Sequence, residues 1–201
     1  MELVVQKYGG SSVGTPQRIR HVASRVAENV RAGQKVVVVV SAMQGETDRL
    51  LELADAVSQR PTLREVDQLL ATGEQASAAL LAMALREFDI SAWSMNGTQM
   101  NMRTDGSFSR ARIRSIEREA IEKHLQIGDV VVATGFQGID DDGNLNTLGR
   151  GGSDTSAVAL AAALDAKECE IYTDVEGVFT ADPRICSRAQ KIDEISFDEM
   201  M

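Results

Sequence analysis

Lys35-Val36-Val37-Val38-Val39-Val40 decides the fold, because five consecutive valines leave no polar face to turn toward water. β-Branched residues favour strands, and a strand without apolar/polar alternation must be covered on both sides. The run therefore predicts a central strand of a sheet with helices on each face. Upstream, Ile19, Val22, Ala23, Val26 and Val30 recur at helical spacing, predicting an amphipathic helix from Pro16 to Arg31, with Gly33 behind it and Pro16 in its first turn. Before it, Leu3–Gln6 reads as a first strand. Downstream, Glu46–Ser58, Gly73–Phe88, Arg110–Leu125 and Thr155–Leu164 read as helices. Ser91–Met95, Val130–Thr134 and Glu170–Thr173 read as strands. Asp141-Asp142-Gly143-Asn144 marks a tight hairpin turn. Strands alternating with helices give an α/β class with a mostly parallel, open central sheet.

The chain has 201 residues, 43% hydrophobic and 25% charged, ordinary values for a globular domain able to bury a substantial core. A net charge of -9 disfavours a nucleic-acid backbone as partner. Positive charge is then concentrated where an anion binds, at Lys7, Arg150 and Arg184. Two cysteines, Cys169 and Cys186, make neither a disulfide framework nor a metal cluster. No apolar stretch reaches membrane-spanning length, and Met1–Lys7 has no signal-peptide pattern, so the expected location is the cytoplasm.

The chemistry-bearing stretches fall at strand ends, where open α/β sheets bind ligands. Lys7-Tyr8-Gly9-Gly10-Ser11-Ser12-Val13-Gly14 follows the first strand, its lysine ahead of the glycines rather than after them. Ser41-Ala42-Met43-Gln44-Gly45-Glu46-Thr47 follows the valine strand, and Thr47 alone reads equally well as a helix cap. Thr72-Gly73-Glu74-Gln75 reads as a helix start, where Glu74 would complement the helix dipole. Leu148-Gly149-Arg150-Gly151-Gly152-Ser153-Asp154-Thr155 places an arginine and a glycine pair ahead of an alanine-rich helix, an arrangement suited to gripping a carboxylate or phosphate. Glu74 and Arg150 together would suit the ammonium and carboxylate of an amino acid. Tyr172–Arg184 supplies Asp174 at a strand end and Asp182 before a proline. His21 and His124 read as surface residues, and Met95, Met100 and Met102 as packing. The set contains no nucleophilic triad and no zinc spacing; it fits phosphoryl transfer, which needs mainly positioning and charge neutralisation.

In this order, these stretches together with Gly135-Phe136-Gln137-Gly138 resemble the aspartokinases of the amino-acid kinase family over nearly the whole chain. The resemblance implies a three-layer sandwich. It also implies ATP-dependent phosphorylation of the side-chain carboxylate of L-aspartate, the step that opens the route to lysine, threonine and methionine. Lys7 and Asp154 would be catalytic, Lys7 stabilising the transferring phosphoryl group and Asp154 orienting it or helping to organise Mg2+. Lys7, Tyr8, Gly9, Gly10, Ser41, Thr173, Asp174, Phe179, Asp182 and Arg184 would meet ATP. Thr47, Glu74, Arg150, Gly151, Gly152 and Ser153 would hold the substrate, and no residue is assigned as a protein metal ligand. The family usually has tyrosine where this chain has Phe179, and threonine where it has Ser156. The partner would be a small molecule, with neither nucleic acid nor membrane, and the family's habit implies a homo-oligomer. Residues 1–201 are expected to form one catalytic domain that breaks off within an opening helix at Phe197–Met201, as a fragment would. Two other readings stay open: a ligand-binding but catalytically incomplete fragment, and a family member acting on another small carboxylate.

Overall fold

The computed structural model describes residues 2–174 and 177–196; Val175, Glu176 and the expected helix opening at Phe197–Met201 lie outside them. The valine run is strand β2 (Lys35–Val40), and it lies in the middle of a five-stranded sheet. Its neighbours are β1 (Leu3–Tyr8) on one side and β6 (Val130–Thr134) on the other. β3 (Ala92–Met95) and β9 (Glu168–Tyr172) form the two edges, and every pairing is parallel.

Side chains alternate across this sheet. Tyr8, Val36, Val38, Val40 and Val132 pack toward α1 (Pro16–Arg31) and α3 (Leu63–Arg86). Val5, Val37, Val39, Val131 and Ala133 pack toward α4 (Arg118–Gln126) and α5 (Gly152–Ala163). The result is three layers. Val36–Val40 are at most 1% exposed, and each such valine contributes roughly 1.5–3 kcal/mol of burial. Met95, Met100 and Met102 are in the core, as expected of packing residues.

α1 starts where the sequence places it: Thr15 Oγ1 accepts the Arg18 N–H at 3.2 Å, and Pro16 occupies the first turn. α2 (Glu46–Val57) likewise agrees. Two expectations are corrected. The helix expected from Gly73 begins ten residues earlier, so Thr72-Gly73-Glu74 lies inside α3. Gly73 is required by contact rather than by a helix start, since a Cβ there would meet Ala42 Cβ at 2.9 Å. The helix expected over Arg110–Leu125 is instead strand β5 (Ile113–Ile116) followed by α4.

β5 pairs with β4 (Met102–Thr104) in a second sheet that also holds β7 (Gln137–Ile139) and β8 (Leu145–Thr147), the expected hairpin. His124 also departs from expectation: it stacks on Trp93, and its Nδ1 lies 3.0 Å from Asp129. β10 (Val178–Phe179) and β11 (Lys191–Ile192) form a small separate ladder.

Candidate active site

The carboxyl ends of β1, β2 and β6 open onto a cleft of about 710 Å³. Lys7 shares the α5 side of β1 with Val5, and its Nζ lies 2.7 Å from Asp154 Oδ1 in the first turn of α5. The lysine side chain is 11% exposed and the aspartate 48%, so the ammonium is held at the cleft wall rather than waving in solvent.

Two helices begin at this cleft, α2 and α5. Each is entered through a glycine at positive φ, Gly45 at 80° and Gly151 at 75°, a conformation a side chain would strain. Neither helix start is capped by a side chain. Free N–H groups and the positive ends of two helix dipoles thus border one cavity, a setting that favours an anion. Gly10 presses on the same region, because a Cβ there would sit 2.8 Å from the Ala42 carbonyl oxygen. Gln44 N–H donates to the Gly10 carbonyl at 3.2 Å and joins the two loops. Ser156, in the threonine position of the resemblance, accepts the Phe136 N–H and donates to the Gly152 carbonyl, sewing α5 to the end of β6.

Glu74 reaches the cleft from the interior of α3. It is 4% exposed, its Oε1 accepts the Ala42 N–H at 2.9 Å, and its Oε2 is buried without a partner among the described residues. Burial pushes its carboxyl up from the ordinary 4.5 to about 7, against the lowering effect of the Ala42 N–H. Arg150 lines the same cleft, exposed and without an ion-pair partner among the described residues. Ser41, Thr47, Gly151, Gly152 and Ser153 border it as well. All the residues assigned to the substrate therefore share one cavity with Lys7 and Asp154. Leu51, Leu70 and Phe136 give it apolar walls that sequence reasoning did not assign.

The residues assigned to the nucleotide are more dispersed. Tyr8 follows Lys7 by one residue and so points to the opposite face of β1, stacked on Tyr172 with centroids 4.7 Å apart. Burial pushes its hydroxyl well above the usual tyrosine range. The Gly9 N–H is directed at the Tyr172 carbonyl, at 3.4 Å. Thr173 and Asp174 border a smaller hollow of about 310 Å³ beside Tyr8 and Arg18. Asp174 also borders a hollow of about 640 Å³ lined by Phe179, Asp182 and Arg184. There the Arg184 guanidinium forks onto Asp182, with Nη2–Oδ2 at 2.8 Å, and holds that carboxyl below its ordinary value. Among the described residues no three histidine, cysteine or acidic side chains cluster to hold a metal, and no helix is long and apolar enough to cross a membrane.

A parallel sheet between two helix layers, with two helix starts at a cleft by its strand ends, defines an open α/β protein. More specifically, the chain belongs to the amino acid kinase family, whose model matches residues 2–201. It is 53% identical over its whole length to an aspartate kinase of Stutzerimonas stutzeri, and 56% identical to an aspartokinase of Bacillus sp. strain MGA3. It spans about half of each relative's length, 49% in both cases. Among solved structures, the aspartate kinase of Synechocystis superposes with a TM-score of 0.86 at 52% identity, over 98% of this chain and 32% of that one. Aspartokinase III of E. coli, solved in complex with aspartate and ADP, superposes at 0.80 with 31% identity, over 96% of this chain and 54% of that one.

Proposed function

We propose that this chain carries the catalytic cleft of an aspartate kinase, transferring the γ-phosphoryl group of ATP to the side-chain carboxylate of L-aspartate. The observation that carries the reading is Glu74 Oε2, a buried and unpartnered carboxylate oxygen in the same cleft as Arg150. Such an oxygen is costly unless a cationic group arrives to meet it. An amino acid brings an ammonium for Glu74 and an α-carboxylate for the Arg150 fork. The naming of the relatives as aspartate kinases, and the E. coli complex with aspartate and ADP, support the same assignment.

The chemistry asks little of an acid or base. A side-chain carboxylate is already ionised at neutral pH, so one of its oxygens attacks the γ-phosphorus directly. The new P–O bond forms as the bond to the β-phosphate oxygen breaks, giving 4-phospho-L-aspartate and ADP. Accordingly neither His21 nor His124 borders the cleft. Lys7 neutralises charge on the transferring group, and Asp154 holds the ammonium in place. The N–H groups at the starts of α2 and α5 receive phosphate or carboxylate oxygens. Thr47 and Ser153 add hydroxyl contacts to the substrate.

Thr173 and Asp174, with Phe179, Asp182 and Arg184 beyond them, form the nucleotide side. Asp48, Glu74 and Asp154 line the cleft without clustering into a metal site among the described residues, which suits Mg2+ that arrives on the ATP phosphates and keeps water ligands. Bound there, Mg2+ would supply charge neutralisation of the phosphates. Such a step would open the synthesis of lysine, threonine and methionine.

Trapping the acyl phosphate with hydroxylamine tests the proposal. Hydroxamate should form with Mg-ATP and L-aspartate, and not when L-glutamate replaces aspartate. Saturable aspartate binding with no hydroxamate would leave a binding fragment in place of a kinase. Equal signal from glutamate would move the assignment to another carboxylate.

A further inference from the structure

Asp67 sits in the second turn of α3, is 0% exposed, and has no ion-pair partner among the described residues. Four donors surround it. Oδ2 accepts the N–H groups of Ser109 and Thr147, each at 2.8 Å, and Oδ1 accepts their hydroxyls at 3.0 and 2.9 Å. A buried carboxylate with every lone pair used by two loop segments is a clamp between them and the helix.

The clamped segments lead directly to the cleft. Thr147 closes β8 and stands three residues before Arg150. Its carbonyl accepts the Ala111 N–H at 2.9 Å, tying it to the Ser109 segment. Gly149 lies against that segment too: a Cβ there would be 3.1 Å from the Ser109 carbonyl oxygen. Ser109 itself is held at a positive φ of 65°, a conformation that its two bonds to Asp67 help to fix.

On α3, Asp67, Leu70 and Glu74 follow at i, i+3 and i+7, so they share one face of the helix. Asp67 and Glu74 are two turns apart, roughly 10 Å along the axis. We propose that Asp67 is a positioning residue that sets the separation between Glu74 and Arg150 by fastening the Arg150 loop to the helix that carries Glu74. α3 then acts as a ruler for an amino acid held at its two ends. This inference rests on the substrate assignment proposed above, and it adds a residue that touches neither substrate.

The test uses the longest natural protein containing this chain, with Asp67→Asn and Thr147→Val. Asparagine keeps the shape of aspartate but directs an amide N–H2 at two donors. Asp67→Asn should raise the aspartate KM at least about tenfold while the ATP KM stays within about threefold, a split that general destabilisation does not produce. Thr147→Val removes one hydroxyl and leaves both backbone N–H donors, so it should shift the aspartate KM the same way by a smaller factor.

Hydrogen exchange supplies a readout besides activity: Asp67→Asn should lose protection at 107–111 and 147–152 and retain it in β2 and β6. Equal effects on both substrates, no effect on either, or uniform loss of protection would overturn the proposal. If Asp67→Asn does not fold, an unchanged aspartate KM in Thr147→Val overturns it alone. A parent protein with no aspartate-dependent turnover would instead defeat the substrate assignment, and the exchange pattern would still judge the clamp.

Discussion

Replacing Glu74 with glutamine should stabilise the protein at alkaline pH while damaging its function. In the fold the Glu74 carboxyl is raised from 4.5 to about 7 by burial, so the folded chain holds a proton that the unfolded chain has released. Where the folded state binds more protons, stability falls as pH rises. Below about 4.5 both states are protonated and Glu74 adds no pH dependence. Between 4.5 and about 7 the cost grows, and above 7 it is complete, about 3 kcal/mol for a gap of that size.

Glutamine resembles the protonated acid. It can still accept the Ala42 N–H, and it places a neutral amide where Oε2 stands. The variant should therefore match the parent near pH 4.5 and exceed it by about 3 kcal/mol at pH 8.5, or roughly 6–12 °C in Tm for a domain of this size. Thermal or urea unfolding of both proteins at the two pH values measures this. Saturating L-aspartate should close the gap at pH 8.5, because only the parent gains from pairing the ammonium. A stability difference independent of pH would refute the argument, since it would mean that Glu74 is not ionising in a desolvated site.

Arg150→Ala should raise the aspartate KM roughly 100-fold, about 3 kcal/mol for a charge-assisted fork, with the ATP KM nearly unchanged; initial rates at varied concentrations of each substrate separate the two. Lys7→Met should lower kcat by on the order of 10²–10³ with near-parental circular dichroism, because the lost interaction is strongest with the transferring group. Gly10→Ala should cost about 1–3 kcal/mol and weaken ATP use, as its methyl would meet the Ala42 carbonyl oxygen at 2.8 Å; a Tm scan with ATP kinetics checks both effects.

The parts of the fold that could be read from sequence are those whose signal is local. Val36–Val40 announce a doubly covered strand by composition alone, and Pro16 marks the start of α1. Lys7, Gly45 and Arg150 fall at strand or helix ends, where chemistry is expected, and the structure brings them to one cleft.

Glu74 is a candidate on sequence grounds, but its setting inside α3 has no local signal. Thr72-Gly73 imitates a helix start, whereas Gly73 answers to the Ala42 side chain, which is distant in sequence. Ile113 and Ile116 stand at a helical spacing of three, and only pairing with Met102–Thr104 selects the strand. Asp67 had no local signal at all, because its partners lie 42 and 80 residues away. His124 and Asp129 meet only because a helix ends between them.

The uniformity of β2 bears on how the sheet assembles. Five identical side chains cannot report their own alignment: sliding β2 by two residues against a neighbour exchanges valine for valine and keeps every face correct. Alignment must come from unlike residues elsewhere. On β1, the Gln6 amide donates to Glu170 of β9 at 2.7 Å, and Lys7 meets Asp154. These polar contacts act as vernier marks on an otherwise unmarked scale. Lys7, which borders the cleft, is thus also one of the marks that place β1, so errors in alignment and errors in catalysis would arise together.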